Sequence, residues 1–133
     1  MKPFYKTLLS GCLTIGFFDV LSSLVSRQFN FNYTYLAPGS FIIYCVFGFW
    51  GTKKINLKTG VFIAAAIGLF DSTIGWKISM LLKANTGNLD NNPSAGIWII
   101  TAVFLTGLAA LCGLIGGGLA KALKRKESVK YND

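Results

Sequence analysis

Two carboxylates stand where carboxylates are costly. Asp19 and Asp71 each lie inside a long apolar run, at the ends of the motifs Ile15-Gly16-Phe17-Phe18-Asp19 and Ile67-Gly68-Leu69-Phe70-Asp71. An Asp at the centre of a membrane helix costs about 2.5–3.5 kcal/mol on insertion scales, so it faces protein or water rather than lipid. At helical spacing Asp19 shares a stripe with Gly16, Ser22, Ser23 and Ser26, and Asp71 with Gly68, Ile74, Gly75 and Ile78. The small residues allow helices to approach closely, and the serines offer hydroxyl partners.

Such a pair has two main uses. Hydrogen-bonded to Ser, Thr or Tyr44, the carboxyls glue two helices together. Alternatively, with Ser22, Ser23 and Ser26, they form a polar or ion site that binds a cation or a proton along a polar path. A third arrangement breaks the helix near Gly16 or Gly68 and uses the Asp to cap a half-helix. No cation on the same helices is placed to pair with them. Lys77 is six residues beyond Asp71, about 9 Å along the axis and about 240° around it. Arg27 is a little over two turns beyond Asp19. If the two carboxyls meet each other instead, they titrate as a coupled pair.

Other chemistry is scarce. The chain has no histidine and only five acids, which removes histidine-based nucleophile relays and His-based zinc sites. Cys12, Cys45 and Cys112 all fall in apolar runs with no C-x-x-C pair and read as buried, reduced small hydrophobes. No phosphate-binding or dinucleotide fingerprint is present. The expectation is a protein that is not an enzyme, with no catalytic residues, no metal and no cofactor.

The elements that position the two Asp residues follow from composition. Of 133 residues, 53% are hydrophobic and 14% charged, with mean hydropathy +0.54; an ordinary soluble domain carries about a quarter charged residues. The apolar residues form four blocks, 7–26, 36–52, 59–82 and 95–120. A bilayer core of about 30 Å takes roughly 20 helical residues to cross. The predicted fold class is therefore an all-α membrane protein, four transmembrane helices in one compact bundle spanning 1–133. No A-x-A-like site follows the first block, so it reads as a span rather than a cleaved leader.

The net charge of +8 is distributed as a topology signal rather than as a nucleic-acid surface. Lys2 and Lys6, then Lys53, Lys54 and Lys58, then Lys121, Lys124, Arg125, Lys126 and Lys130 all fall on one side if four spans alternate. The positive-inside rule places that side, with both termini, in the cytoplasm. A bacterial plasma membrane is the expected setting. The basic tail 121–133 can touch anionic lipid headgroups. The expected partners are the bilayer itself and either a second copy or another membrane protein, with no nucleic acid.

The Asp motifs recur at an offset of 52 residues with four of five positions identical. A polar loop follows each Asp-bearing span, and Pro38 or Pro93 then opens the next. Two repeats, 7–54 and 59–120, are thus expected to be parallel and related by a pseudo-two-fold along the membrane normal. Both Asp residues then share one depth, about 18 Å from the inner boundary.

The last block reads as a contact helix. Ala102, Thr106 and Ala110 form one line of small residues, and Ala109, Gly113 and Gly117 another. With Gly16, Gly68 and Gly75 they are candidate packing seams, one of which is available to a dimer. Gly116-Gly117-Gly118 is expected to loosen the helix end. Phe29, Phe31, Tyr33, Tyr35, Phe47, Phe49, Trp50 and Trp98 are expected at the interfaces. The second outer loop, 85–93, is polar and turn-rich, and Asn32-Tyr33-Thr34 matches a glycosylation triplet that often occurs by chance. Four short spans invite comparison with small multidrug exporters and fluoride channels, but the lone first-span Glu of the former is absent and no signature of the latter is present.

Overall fold

The computed structural model describes residues 2–87 and 93–130, with side chains of the last helix described to Lys126. Asp90 and the centre of the second outer loop, the side chains of Glu127 and Lys130, and Asp133 lie outside the described residues. All regular structure among the described residues is helical. Helix α1 runs Pro3–Phe29, a 3-10 turn covers Tyr33–Leu36, and α2 runs Ala37–Lys54. Helix α3 (Leu57–Phe70) passes through a π-helical turn (Asp71–Gly75) into α4 (Trp76–Leu81), and α5 runs Ala95–Lys130. Four helical segments are long and apolar enough to cross a membrane: Pro3–Phe29, Tyr33–Lys54, Leu57–Leu81 and Ala95–Lys126.

Local chemistry sets the ends. Pro3 and Pro38 sit in the first turns of α1 and α2, where a missing N–H is no loss. Asn30 closes α1 in the left-handed region (φ 52°), donating its N–H to the Ser26 carbonyl. Only Ile55 and Asn56 separate α2 from α3, so these two helices must run antiparallel side by side. Asn56 Oδ1 accepts the Thr59 N–H at 2.9 Å and caps α3. The triple glycine does not interrupt α5. Gly116 lies against the Cys45 carbonyl and Gly117 against Thr52, so the missing side chains admit α2 rather than loosening the end.

The exterior and interior are inverted relative to a water-soluble bundle. Leu13, Phe17, Ile100 and Val103 are each at least 66% exposed, whereas Asp19, Ser23 and Ser26 are fully buried. The apolar core is small: Ile15, Tyr44, Phe47, Ile63, Ala64, Ile67 and Ala109. Phe47 therefore belongs to the core, not to an interface. Close packing comes instead from glycine. A Cβ on Gly48 would stand 2.6 Å from Gly113 Cα, and one on Gly113 would stand 2.7 Å from Ala64 Cβ. Gly68 lies against Ala109, Leu105 and Thr106. The Ala109–Gly113–Gly117 line, with Thr106 of the other line, thus faces α2 and α3 within the chain. Gly16 is looser, with 3.7 Å to the Phe70 ring.

The packing departs from an exact two-fold. Helices α2 and α3 are in contact, whereas the pair that a two-fold would equate with them, α5 and α1, do not approach each other. The α2–α3 pair forms the centre, with α1 and α5 on its flanks.

Candidate functional site

Asp19 and Asp71 converge. Asp19 lies in the unbroken middle of α1, and Asp71 opens the π turn that joins α3 to α4. Asp71 keeps right-handed helical dihedrals (φ −59°, ψ −51°), so neither Asp caps a broken helix. The π turn follows from local hydroxyls and one close approach. Ser72 Oγ and Thr73 Oγ1 both donate to the Leu69 carbonyl, at 3.1 and 2.6 Å, and the Trp98 indole N–H donates to the Ser72 carbonyl at 3.2 Å. These bonds serve carbonyls at the place where the regular ladder shifts. Such single π turns are frequent at functional sites.

Gly75 is where the two carboxyls meet. A Cβ there would collide with Asp19 Oδ2 and stand 2.7 Å from Asp71 Oδ1, so only glycine leaves room for both. The carboxyls are within hydrogen-bonding reach of each other. Asp19 Oδ2 is buried with no N–H or O–H donor on it; its contact with Asp71 is a hydrogen bond only when one of the two acids carries the proton.

The outer oxygens are held by phenols. Tyr33 donates its O–H to Asp19 Oδ1 at 2.9 Å, Tyr44 donates to Asp71 Oδ2, and Ser40 also reaches Asp71. The first-helix serines do not touch the carboxyls. Ser23 Oγ donates to the Asp19 main-chain carbonyl (2.6 Å) and meets Ser79 Oγ (3.0 Å). Ser26 Oγ donates to the Phe31 carbonyl at 2.7 Å and receives the Asn85 N–H at 3.2 Å. Ser22 is buried beside them. Lys77 stands over the Trp98 ring, 5.1 Å from its centroid, and Arg27 is exposed.

Tyr33 is the partner that sequence reading assigned to the interface. The loops explain its turn inward. The Tyr33 N–H donates to the Asn85 carbonyl at 2.7 Å, and Asn85 Nδ2 donates to Asn30 Oδ1 at 3.0 Å. Asn32, of the glycosylation triplet, spends its Oδ1 accepting the Thr34 N–H at 2.9 Å. The tied loops drop the Tyr33 ring into the bundle, where its O–H lies within reach of Ser79 as well as Asp19.

Two features bound the chemistry. Toward the outer loops lie three hydroxyl contacts: Tyr33 on Asp19, Ser23 with Ser79, and Ser26 with Asn85. In the other direction Ile15 and Ile67, one turn before Asp19 and Asp71, belong to the buried apolar cluster with Phe47 and Ile63. A cavity of about 170 Å³ adjoins Asp71, walled by Phe18, Phe41, Tyr44, Trp76 and Leu105. The indole N–H of Trp76, one of the wall residues, is buried without a partner. Among the described residues no three His, Cys, Asp or Glu side chains gather as a metal site.

No protein-family model matches this chain, and no curated protein or solved structure is detectably similar to it.

Proposed function

We propose that the chain is a small accessory or scaffold subunit of a membrane complex, crossing the bilayer four times with both termini on the cytoplasmic side of a bacterial plasma membrane. The inverted distribution of apolar side chains and the four long apolar helices support the membrane setting. The asymmetry of its lysines supports the orientation. Its partners are the surrounding lipid and a second copy or another membrane protein; it is not an enzyme.

One observation carries the scaffold reading. The hydroxyl partners lie on the outer-loop side of the Asp19–Asp71 pair, while Ile15 and Ile67, one turn before each acid on α1 and α3, belong to the buried apolar cluster. A permeation path needs polar or wet lining through its length, whereas a latch needs only that its polar atoms satisfy one another. Here Asp19 ties α1 to the 3-10 turn through Tyr33, and Tyr44 ties α2 to the α3–α4 joint through Asp71. In this reading the shared Asp motif descends from a repeated two-helix unit whose halves have diverged in packing.

A second reading has its own support. The buried, unpartnered Asp19 Oδ2 and the cavity against Asp71 are what a channel or transporter subunit moving a cation or proton-coupled solute would use. A proteoliposome flux assay on wild type, Asp19→Asn and Asp71→Asn separates the two. The scaffold reading expects no flux above empty liposomes, with both variants less heat-stable in detergent. Cation or proton flux through wild type that either substitution abolishes overturns it in favour of transport.

A further inference from the structure

The cavity beside Asp71 suits one class of ligand. It has a volume of about 170 Å³ and is walled by five aromatic residues, Phe18, Tyr33, Phe41, Tyr44 and Trp76, with Asp71 as its one charged residue. An apolar cavity of about 150 Å³ is enough to hold benzene, so a compact organic molecule fits. Its exposed lining residues, Thr34 and Ala37, belong to the 3-10 turn and the start of α2, so it opens near the outer loops.

Hydrogen bonding and charge narrow the chemistry. Every hydroxyl in the lining is already spent as a donor: Tyr33 on Asp19, Tyr44 and Ser40 on Asp71, Ser72 on the Leu69 carbonyl and Thr34 on Asn32. An anion or a sugar would find few donors there. No lysine or arginine lines the cavity; Lys77 stands over Trp98 and Arg27 is exposed. Even with one proton shared between Asp19 and Asp71, the pair keeps a negative charge, and a buried charge without a counter-ion is costly. Asp19 is fully buried, whereas Asp71 is half-buried and lines the cavity, so Asp71 is the acid that an incoming cation meets. The faces of aromatic rings attract cations as well.

We propose that this cavity binds a compact organic cation, an alkylated ammonium whose apolar substituents pack on the aromatic walls while its charge offsets that of Asp71. A fully alkylated nitrogen asks for no hydrogen bonds, which suits walls that have few to give. Binding here does not require the ligand to cross the bilayer. The proposal therefore stands apart from the scaffold and transport readings above, and flux and binding measurements fail separately.

Calorimetric titration of the full chain in a non-ionic detergent tests this. The probe is choline, and the comparison is its uncharged isostere dimethylbutanol, in which carbon replaces nitrogen. Choline is expected to bind more tightly by roughly tenfold or more. Trp76→Leu keeps an apolar wall but removes a ring; it is expected to weaken choline by about two- to thirtyfold and to leave dimethylbutanol within about twofold. Asp71→Asn removes the charge and is expected to abolish the preference for choline. If that variant does not fold, the Trp76→Leu comparison still decides. Absence of choline binding overturns the proposal. So does equal affinity for the two molecules, which would mean apolar filling only. Choline binding that the substitutions leave unchanged overturns it too, because the cation would then sit elsewhere.

Discussion

Asp19 and Asp71, 52 positions apart in the chain, bring their carboxyls together over the bare Cα of Gly75. A residue on the far side of the π turn thus decides whether the two acids can meet at all.

Gly75→Ala is expected to force the carboxyls apart. Its Cβ has no flexible neighbour to displace, only two charged or hydrogen-bonding groups and the turn that carries them. Overpacking of this kind costs about 1–3 kcal/mol. Gly16→Ala, whose Cβ meets only an ordinary contact with Phe70, changes stability by less than about 0.5 kcal/mol. Thermal melts of both variants in detergent check the contrast, and equal melting temperatures would remove the role assigned to Gly75.

The phenols are expected to matter more than the serines. Tyr33→Phe and Tyr44→Phe each leave a buried carboxyl oxygen short of its donor, at a cost of about 1–3 kcal/mol. Combining Tyr44→Phe with Asp71→Asn gives a double-mutant cycle with coupling of about 0.5–3 kcal/mol, whereas Ser22→Ala with Asp71→Asn is additive. Additivity in the Tyr44 cycle would show that the phenol and the acid do not act together.

Glycines of α2 and α5 divide by what they face. Gly107→Ala and Gly118→Ala place a Cβ in open space and are expected to be neutral or to stabilise by up to about 1 kcal/mol, since alanine is the better helix former. Gly48→Ala and Gly113→Ala collide with the facing backbone or side chain and are expected to unseat α5 from α2 and α3. Melting temperatures that fall alike for all four substitutions would contradict this packing.

Labelling reports the orientation. In a triple Cys→Ala background, single cysteines at Lys54 and Lys121 are expected to react with a membrane-impermeant maleimide on the same side of right-side-out or inverted vesicles, and one at Asn30 on the opposite side. Labelling of positions 54 and 30 from one side would rule out the alternating four-span topology.

Much of the architecture was legible in the sequence because it depends on quantities summed along the chain. Apolar block length measures against a bilayer, and proline and asparagine mark helix ends. None of these needs to know which helix stands next to which. The two acids were legible for the same reason, since a carboxylate in an apolar block is conspicuous whatever surrounds it.

Their partners were not. Local spacing put Ser22, Ser23 and Ser26 on the Asp19 stripe, yet the Ser23 and Ser26 hydroxyls are taken by main-chain carbonyls, while Tyr33 arrives from a loop held by Asn85. A glycine line looks the same in sequence whether it meets a neighbour in the chain or a second copy. The repeat motif predicts a symmetric bundle, but the short α2–α3 turn pulls those helices together and leaves α1 and α5 apart. Sequence by itself determined the lengths of the apolar helices and the identity of the misplaced acids, because each is a one-dimensional property. Only the tertiary structure decided that the acids face each other and which hydroxyls hold them, because those facts depend on distances between helices far apart in the chain.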